Sequence, residues 1–141
     1  MPMPPIEDRL AINDLFIRYT CALDAGEAGT VIPCFTETAT LVSPAVGELS
    51  GRAAITAFAH RFARFQASGS QLRHVISNLQ MTVDGNRAHA TCYLTVLLTK
   101  DGASKLMAPG RYDCDLVKIG GEWLFQRRVV LHDHDYTLEG L

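Results

Sequence analysis

The spacing of apolar residues changes near residue 71, and this change limits the possible folds more than any other feature. From there to residue 131, apolar and polar residues alternate with a period of two, as in half-buried β-strands. The alternation predicts four strands, at 72–83, 87–99, 105–119 and 122–131, joined by short turns rich in Gly, Asn or Asp. Because connections this short join antiparallel neighbours, this half of the chain is predicted to form a meander.

The preceding part of the chain follows the period of about 3.6 residues that is typical of helices. A first helix is predicted from residue 6 to about residue 23, with an apolar face formed by Ile6, Leu10, Leu15, Phe16, Tyr19 and Leu23. A short second helix is predicted near 27–35, a strand near 39–43, a turn at Gly47 and Glu48, and a third helix that starts at 50–52. Helices followed by a meander indicate an α+β fold, with helices packed on one face of a strongly curved antiparallel sheet.

The composition is that of an ordinary globular chain. With 141 residues, 48% of them hydrophobic, the sequence can form one core. We expect a flexible lead-in at 1–5, a single domain at 6–133 and a tail at 134–141. The formal net charge of −2 provides no basic surface for nucleic acid, and no apolar run approaches the roughly 20 residues that span a bilayer. Neither nucleic acid nor a membrane is therefore expected as a partner.

The cysteines and the first residues indicate the compartment. The four cysteines, Cys21, Cys34, Cys92 and Cys114, are widely spaced and form no Cys-x-x-Cys pair. Three of them fall in apolar stretches, which favours buried free thiols over disulfides or a zinc site. Residues 1–5 contain neither a basic segment nor an apolar one, so no signal peptide is expected. Together these features predict a cytoplasmic protein.

His74 is the first candidate for chemistry, because a neutral imidazole suits proton transfer near pH 7. Its same-parity neighbours on the predicted strand, Leu72 and Ile76, are apolar, so the ring is expected to point inward. The alternative is a core histidine that hydrogen-bonds a backbone carbonyl. From the local sequence alone, this alternative is the better supported of the two.

Asp24 lies at the end of the first predicted helix, where a carboxylate faces the negative end of the helix dipole at a cost of roughly 0.3–1 kcal/mol. It follows the apolar residues Ala22 and Leu23, near the inner face. An aspartate in this place could accept the Nδ1 proton of a histidine and fix its tautomer. Its spacing from Glu27 equally fits a capping box for the second helix, and the sequence leaves both roles open.

Tyr19 and one of two arginines complete the polar candidates. Tyr19 lies on the apolar helix face, where a buried hydroxyl needs a partner. Arg127 and Arg128 are adjacent on a strand, so at most one points inward unless a bulge intervenes, and strand parity from Trp123 and Phe125 selects Arg127. A buried arginine is costly unless it meets an anion. The inward arginine is therefore a candidate for binding a developing negative charge.

The remaining histidines do not predict a metal site. The run His-Asp-His-Asp at 132–135 resembles a set of metal ligands, but a carboxy-terminal tail is the preferred interpretation. His60 and His89 have polar surroundings and are expected to be exposed. The sequence contains no Gly-rich phosphate loop. Neither a bound metal nor a cofactor is therefore predicted.

Six segments along the chain together resemble the SnoaL-like families of the NTF2-like superfamily, which include scytalone dehydratase and bile-acid dehydratase. They are 19–24, 35–39, 51–55, 73–78, 110–113 and 121–123, with Arg128 five residues beyond Trp123. The resemblance runs from about residue 6 to residue 133. It implies a cone-shaped α+β barrel in which the sheet and the helices enclose a deep, mostly apolar pocket.

The resemblance also implies the residues of a site. In the lyase members an Asp–His pair lies inside the cone, here Asp24 and His74, and the dehydratase-like members have a tyrosine at the position of Tyr19. Arg128 matches the arginine that follows the family's tryptophan. For the second pocket histidine of scytalone dehydratase, His89 is only a weak candidate. The residues predicted to contact a substrate are Phe16, Phe58, Tyr112 and Trp123.

The resemblance further implies a function. It predicts a cofactor-independent, dehydratase-like lyase whose Asp–His pair removes a proton from a small hydrophobic substrate that is cyclic, polyketide-like or steroid-like. An isomerase or polyketide cyclase with the same base is one alternative, and a non-catalytic domain that binds a small ligand is the other. By analogy with the family, a homodimer or homotrimer is expected.

Overall fold

The described part of the chain forms three α-helices and one six-stranded sheet. The computed structural model describes residues 3–141, so Met1 and Pro2 of the expected lead-in lie outside the described residues. In chain order the elements are α1 (Ile6–Ala25), α2 (Ala28–Val31), a 3-10 turn (Ile32–Cys34), β1 (Phe35–Ser43), β2 (Gly47–Ser50), α3 (Arg52–Ala67), β3 (Gln71–Asp84), β4 (Arg87–Lys100), β5 (Ala103–Ile119) and β6 (Glu122–His132).

The strands form one curved sheet in the order β2-β1-β6-β5-β4-β3. The predicted meander is confirmed, because β3, β4, β5 and β6 pair in sequence as antiparallel neighbours. The register shifts once in each of these three pairs, and such bulges bend and twist a sheet. β1 pairs with β6 in the parallel direction and extends the sheet beyond the meander. The α+β class, with helices on one side of a curved sheet, is likewise confirmed.

The core lies between the inner face of the sheet and the helices. Its α1 members are Ile12, Leu15, Phe16, Tyr19, Ala22 and Leu23. The prediction that Ile6 and Leu10 belong to this face is wrong, since they are 65% and 64% exposed. The first two turns of α1 border an open surface groove beside Leu79 and Met81 of β3. The apolar contact between α1 and the core therefore begins at Ile12.

Three predicted boundaries in the first half of the chain are wrong, and one of them is the start of β1, which lies at Phe35 rather than near residue 39. Gly47 and Glu48 begin β2 rather than form a turn, because Gly47 pairs with Ser43 and the turn falls on the three residues between them. The second helix ends at Val31, earlier than predicted. Pro33 has no N–H to continue an α-helical ladder, and a 3-10 turn takes over.

The cysteines agree with the prediction from their spacing. All four are free thiols, and Cys21 is exposed. The other three are buried in the core.

Within residues 3–141, no helix combines the length and the apolar character that crossing a bilayer requires.

The end of α1 depends on a glycine. Gly26 caps the helix with a φ of 73°, a left-handed conformation that costs other residues roughly 1–2 kcal/mol. We expect Gly26→Ala to lower the free energy of unfolding in urea by about that amount. The matched control is Gly29→Ala in α2, where nothing lies within 4 Å of the added methyl group and helix preference predicts a gain of about 0.5–1 kcal/mol. Equal effects of the two substitutions would contradict this role of Gly26.

Candidate functional site

A cavity lies between the inner face of the sheet and the helices α1 and α3. Its apolar wall includes Leu23, Leu41, Phe58, Phe62, Leu72, Leu94, Val96, Val130 and Leu138. The polar residues on the wall are Tyr19, Ser43, His74, Tyr112, His132 and Tyr136. A few polar groups on an apolar wall are typical of small-molecule sites. The free volume is about 40 Å³, room for only a few water molecules, so a larger ligand must displace part of the wall.

Asp24 is in direct contact with His74, which lies on this wall. His74 Nδ1 lies 2.5 Å from Asp24 Oδ1, and the His74 backbone N–H donates to Asp24 Oδ2 over 2.8 Å. Both side chains are mostly buried, with 9% and 10% of their surface exposed. Because an ionised carboxylate only accepts hydrogen bonds, Nδ1 carries a proton, and in the neutral form of the ring Nε2 then holds the lone pair. The ring therefore pairs with a carboxylate rather than a backbone carbonyl, and Nε2 can accept a proton.

Two glutamines tie the end of α1 to the start of β3. Gln71 Nε2 donates to the backbone oxygen of Asp24 over 2.9 Å. Gln66 of α3 accepts from the backbone N–H of Leu72 over 2.8 Å and donates to the backbone oxygen of Leu23 over 3.5 Å. These hydrogen bonds cross three elements at the point where the carboxylate meets the imidazole. They hold the backbone on both sides of the pair.

The capping-box alternative for Asp24 is wrong. Asp24 lies inside α1, which continues to Ala25 and ends at the left-handed Gly26. Glu27 is the residue before α2, and none of the described side chains caps that helix. Both oxygens of the Asp24 carboxylate instead accept hydrogen bonds from His74, one from the ring and one from the backbone N–H.

Two buried tyrosines, Tyr19 and Tyr112, lie on the same wall. The Tyr19 ring packs edge-on against Phe35 and Phe125, with centroids 5.5 Å apart in each pair. Burial raises the pKa of Tyr19 to about 12, although the charge of Arg128 opposes this shift. Burial also raises the pKa of Tyr112. Both hydroxyls therefore stay protonated near pH 7 and can donate hydrogen bonds.

Arg128 is the arginine that points inward. It is fully buried, whereas Arg127 is exposed. A bulge in β6 causes Arg128 to point inward. Two adjacent residues of β5 pair with Phe125 and Arg127, so Gln126 between them has no paired residue on β5. One extra residue reverses the alternation of the strand. Parity from Trp123 and Phe125 therefore selects the wrong arginine, and the family resemblance selects the right one.

Aromatic rings, and not an anion, enclose the Arg128 guanidinium. Its Cζ lies 3.6 Å from the centre of the Tyr112 ring and 4.0 Å from that of Tyr19, with two phenylalanine rings at 4.4 and 5.4 Å. Nη1 donates to Cys114 Sγ over 3.5 Å, while Nε and Nη2 have no hydrogen-bond partner among the described residues. Arg128 is not part of the cavity wall. Its charge lies behind the two tyrosines that are.

The four residues predicted to contact a substrate fall into two groups. Phe58 of α3 and Tyr112 of β5 lie on the cavity wall. Phe16 does not, because it is fully buried deeper in the core. Trp123 also lies away from the cavity, since its Nε1 donates to Asp8 Oδ1 over 3.0 Å and so holds β6 against the start of α1. This geometry gives Phe16 and Trp123 structural positions rather than ligand contacts.

His132 is a cavity residue that the sequence interpretation places in a tail. It ends β6 and lies on the cavity wall. Strand parity identifies it once Arg128 is known to point inward, because Val130 and His132 follow Arg128 at two-residue steps. The weak candidate His89 is exposed on the outer face, where two aspartates lie 2.9 and 3.2 Å from its ring nitrogens. His89 is therefore not a pocket histidine.

The segment after β6 closes the cavity. Tyr136 and Leu138 lie on the wall. The Tyr136 ring packs edge-on against His132, with centroids 4.8 Å apart, and its hydroxyl lies 3.4 Å from His132 Nε2. Arg61 of α3 donates to the Leu141 backbone oxygen over 2.8 Å. The predicted tail at 134–141 is thus part of the site.

Known proteins share this fold. The family pattern of the SnoaL-like domain matches residues 4–129. Among solved structures, a candidate aromatic ring hydroxylase from Novosphingobium aromaticivorans is 30% identical, with a TM-score of 0.80 and 94% of each chain covered. ActVI-ORFA from Streptomyces coelicolor is 25% identical, with a TM-score of 0.80 and coverage of 94% of this chain and 99% of that chain.

A third similar structure is described by the name of its fold. It is an NTF2-like protein with a cystatin-like fold from Novosphingobium aromaticivorans, 25% identical, with a TM-score of 0.80 and coverage of 92% of this chain and 85% of that chain. No curated protein sequence is a significant match. The NTF2-like fold implied by the sequence segments is confirmed.

Two substitutions of Arg128 test how its buried charge is held. Lysine keeps the charge but loses the planar contact with the rings, which is worth about 2 kcal/mol when desolvated. Methionine removes the charge, whose burial is costly, and fills much of the space. We therefore expect Arg128→Lys to be less stable than Arg128→Met by about 2 kcal/mol in urea unfolding. A lysine variant of equal or greater stability would show that the rings do not stabilise the charge.

Proposed function

Because this chain belongs to the SnoaL-like domain family, we propose that it is a cofactor-independent lyase of the dehydratase type. Its substrate is a small, hydrophobic, cyclic molecule with a carbonyl group and a hydroxyl group on the β carbon. The observation that carries the proposal is the buried contact of Asp24 with His74, whose side chain lies on a mostly apolar cavity wall. Such surroundings exclude water and strengthen the electrostatic interactions of a base.

His74 is the general base of the proposed reaction. Its Nε2 removes a proton from the carbon next to the carbonyl, and the electron pair of that C–H bond moves toward the carbonyl oxygen. Asp24, which already accepts the Nδ1 proton, stabilises the imidazolium that forms. The enolate then expels the hydroxyl group from the β carbon as a C=C bond forms. The imidazolium returns its proton to the departing oxygen, which leaves as water.

Tyr19 and Arg128 are proposed to stabilise the negative charge on the carbonyl oxygen. The Tyr19 hydroxyl is a donor throughout, since burial raises its pKa to about 12. Arg128 acts from behind the Tyr19 ring, 4.0 Å away, and is therefore a positioning residue rather than a ligand contact. Tyr112, stacked on the same guanidinium, supplies a second hydroxyl on the wall. A donor held ready for such an oxygen typically contributes about 10²- to 10³-fold in rate.

One structural relative supports a cyclic substrate. It is 30% identical and described as a candidate aromatic ring hydroxylase. An isomerase or polyketide cyclase would use the same base on the same kind of molecule. A domain that only binds its ligand would keep the Asp–His pair without turnover. The rate of conversion of a ketone probe and the mass of the product separate these three functions.

The probe 3-hydroxy-1-tetralone tests the proposal, because loss of water and tautomerisation convert it to the fluorescent 1-naphthol. We expect the wild-type protein to catalyse this reaction. We expect His74→Ala and Asp24→Asn to lower the rate by about 10²- to 10⁴-fold, the usual contribution of a positioned base. The matched controls are His60→Ala and Asp14→Asn, which change exposed residues of α3 and α1 and should leave the rate unchanged.

The product mass distinguishes the alternatives. Loss of one water molecule supports the lyase, and conversion at unchanged mass supports an isomerase or cyclase. If the probe binds but the wild-type rate equals that of His74→Ala, the chain is a binding domain and the proposed chemistry is wrong. Thermal unfolding of each variant checks that a lost rate does not reflect a lost fold.

We also propose that the chain forms a homodimer or homotrimer through the outer face of the sheet. Among the described residues, the large apolar side chains exposed on that face include Val75 at 51%, Tyr93 at 60% and Leu106 at 54%. They lie on the neighbouring strands β3, β4 and β5. Exposed apolar residues grouped in this way are typical of a protein–protein contact.

Light scattering during size-exclusion chromatography tests the assembly. We expect the wild type to have the mass of a dimer or trimer, and Tyr93→Glu to shift it toward the monomer, because a charge would be buried at the contact. Ile119→Glu is the matched control, since Ile119 is 54% exposed but lies at the β5–β6 turn. A monomeric wild type, or equal effects of both substitutions, would contradict the proposed interface.

A further inference from the structure

His132 has a hydrogen-bonding atom that the protein leaves without a partner. Its Nδ1 is buried, and none of the described residues hydrogen-bonds with it. A buried donor or acceptor that stays unpaired costs about 1–3 kcal/mol. His132 lies on the wall of the same cavity as His74, so a molecule that displaces part of this wall on binding can supply the missing partner.

The protein holds the rest of the His132 ring in place. Its Nε2 lies 3.4 Å from the Tyr136 hydroxyl, and the two rings pack edge to face. Gly110 of β5 pairs with His132, and a methyl group at Gly110 would come within 2.1 Å of the Leu131 backbone oxygen. The two strands therefore approach closely here, which positions the backbone that carries the ring. The Nδ1 atom of this positioned His132 ring has no hydrogen-bond partner among the described residues.

The surroundings keep the His132 imidazole neutral. Burial lowers its pKa most, and the nearby His74 and His134 lower it further, against the opposing effect of two tail aspartates. Burial also raises the pKa of Tyr136, so that the adjacent hydroxyl is neutral as well. A neutral imidazole suits a hydroxyl or carbonyl oxygen, whereas a carboxylate or phosphate favours a cationic partner. The group that meets His132 is therefore uncharged.

His132 and His74 can contact different parts of one ligand. They lie on β6 and β3, with β5 and β4 between them. Three strand spacings amount to about 14 Å along the sheet. The curvature of the sheet nevertheless brings both residues to the wall of one cavity.

We propose that His132 is a second ligand-binding residue, which binds an uncharged oxygen group of the ligand through Nδ1. This group is separate from the carbonyl and hydroxyl that react at His74. The assignment rests on the proposed function of the cavity as a substrate site. It narrows the substrate class to neutral cyclic molecules with an additional hydroxyl or carbonyl group on the far side of the ring system.

Unreactive probes test this assignment without turnover. 1-Tetralone carries the carbonyl alone, whereas 5-, 6- and 7-hydroxy-1-tetralone carry a further hydroxyl on the other ring. In NMR titrations of the wild type, we expect at least one hydroxylated probe to bind about three- to tenfold more tightly than 1-tetralone, the usual net effect of one hydrogen bond. His132→Phe keeps a ring without hydrogen-bonding atoms. It should abolish this preference, so that the hydroxylated probes and 1-tetralone bind this variant about equally.

Two further variants separate ligand binding from a structural role. His132→Gln should restore part of the preference, because an amide can hydrogen-bond to the same oxygen. His60→Phe makes the same replacement at an exposed histidine of α3 and should keep the full preference. If His132→Phe does not fold, the comparison of His132→Gln with the wild type still tests the assignment through the probe preference.

The outcomes are distinguishable from those of the lyase experiment. An equal preference in the wild type and in His132→Phe overturns the assignment. It is also overturned if no hydroxylated probe binds more tightly than 1-tetralone, or if none of the probes binds. If the preference depends on His132 while 3-hydroxy-1-tetralone is not dehydrated, the assignment of His132 stands and the proposed lyase activity fails.

Discussion

The contact between Asp24 and His74 joins the helical part of the fold to the sheet. A carboxylate in the last turn of α1 meets both the ring and the backbone N–H of a residue near the start of β3. Burial of such a carboxylate is costly unless it is fully paired, so the helix end and the strand must stay in register with each other. Gln66 and Gln71 reinforce the same junction through backbone hydrogen bonds. The contact on which the proposed chemistry depends is therefore also a structural one.

A single bulge in β6 sets the other side of the site. Gln126 has no paired residue on β5, and this extra residue reverses the alternation of β6. Arg128, Val130 and His132 therefore face inward. The guanidinium then lies among aromatic rings, and within residues 3–141 no carboxylate forms an ion pair with it. Tyr19 separates this charge from the cavity. A buried cation with two unsatisfied nitrogens carries an energetic cost that the rings offset only in part. Its position behind two neutral tyrosines fits the role proposed for it, the stabilisation of negative charge on a ligand.

Local periodicity predicted most of the elements, and its errors have physical causes. The alternation from residue 71 onward predicted the meander, because each strand pairs with the next across a short turn. It could not show that β1 lies parallel to β6, since that pairing joins distant segments. Ile6 and Leu10 fit the helical period but border an open groove. Phe16 and Trp123 were placed at the ligand by resemblance, although Trp123 bonds to Asp8 and Phe16 lies in the deeper core.

The sequence by itself determined the fold class, the order of the elements and the identity of Asp24, His74 and Tyr19 as candidates, because periodicity and short motifs are local properties of the chain. Only the tertiary structure decided that Asp24 pairs with His74 instead of capping α2, and that Arg128 rather than Arg127 is buried. It also decided that His132 and the tail complete the cavity wall. These outcomes depend on a bulge and on sheet curvature, which bring distant residues together and leave no regular pattern along the chain.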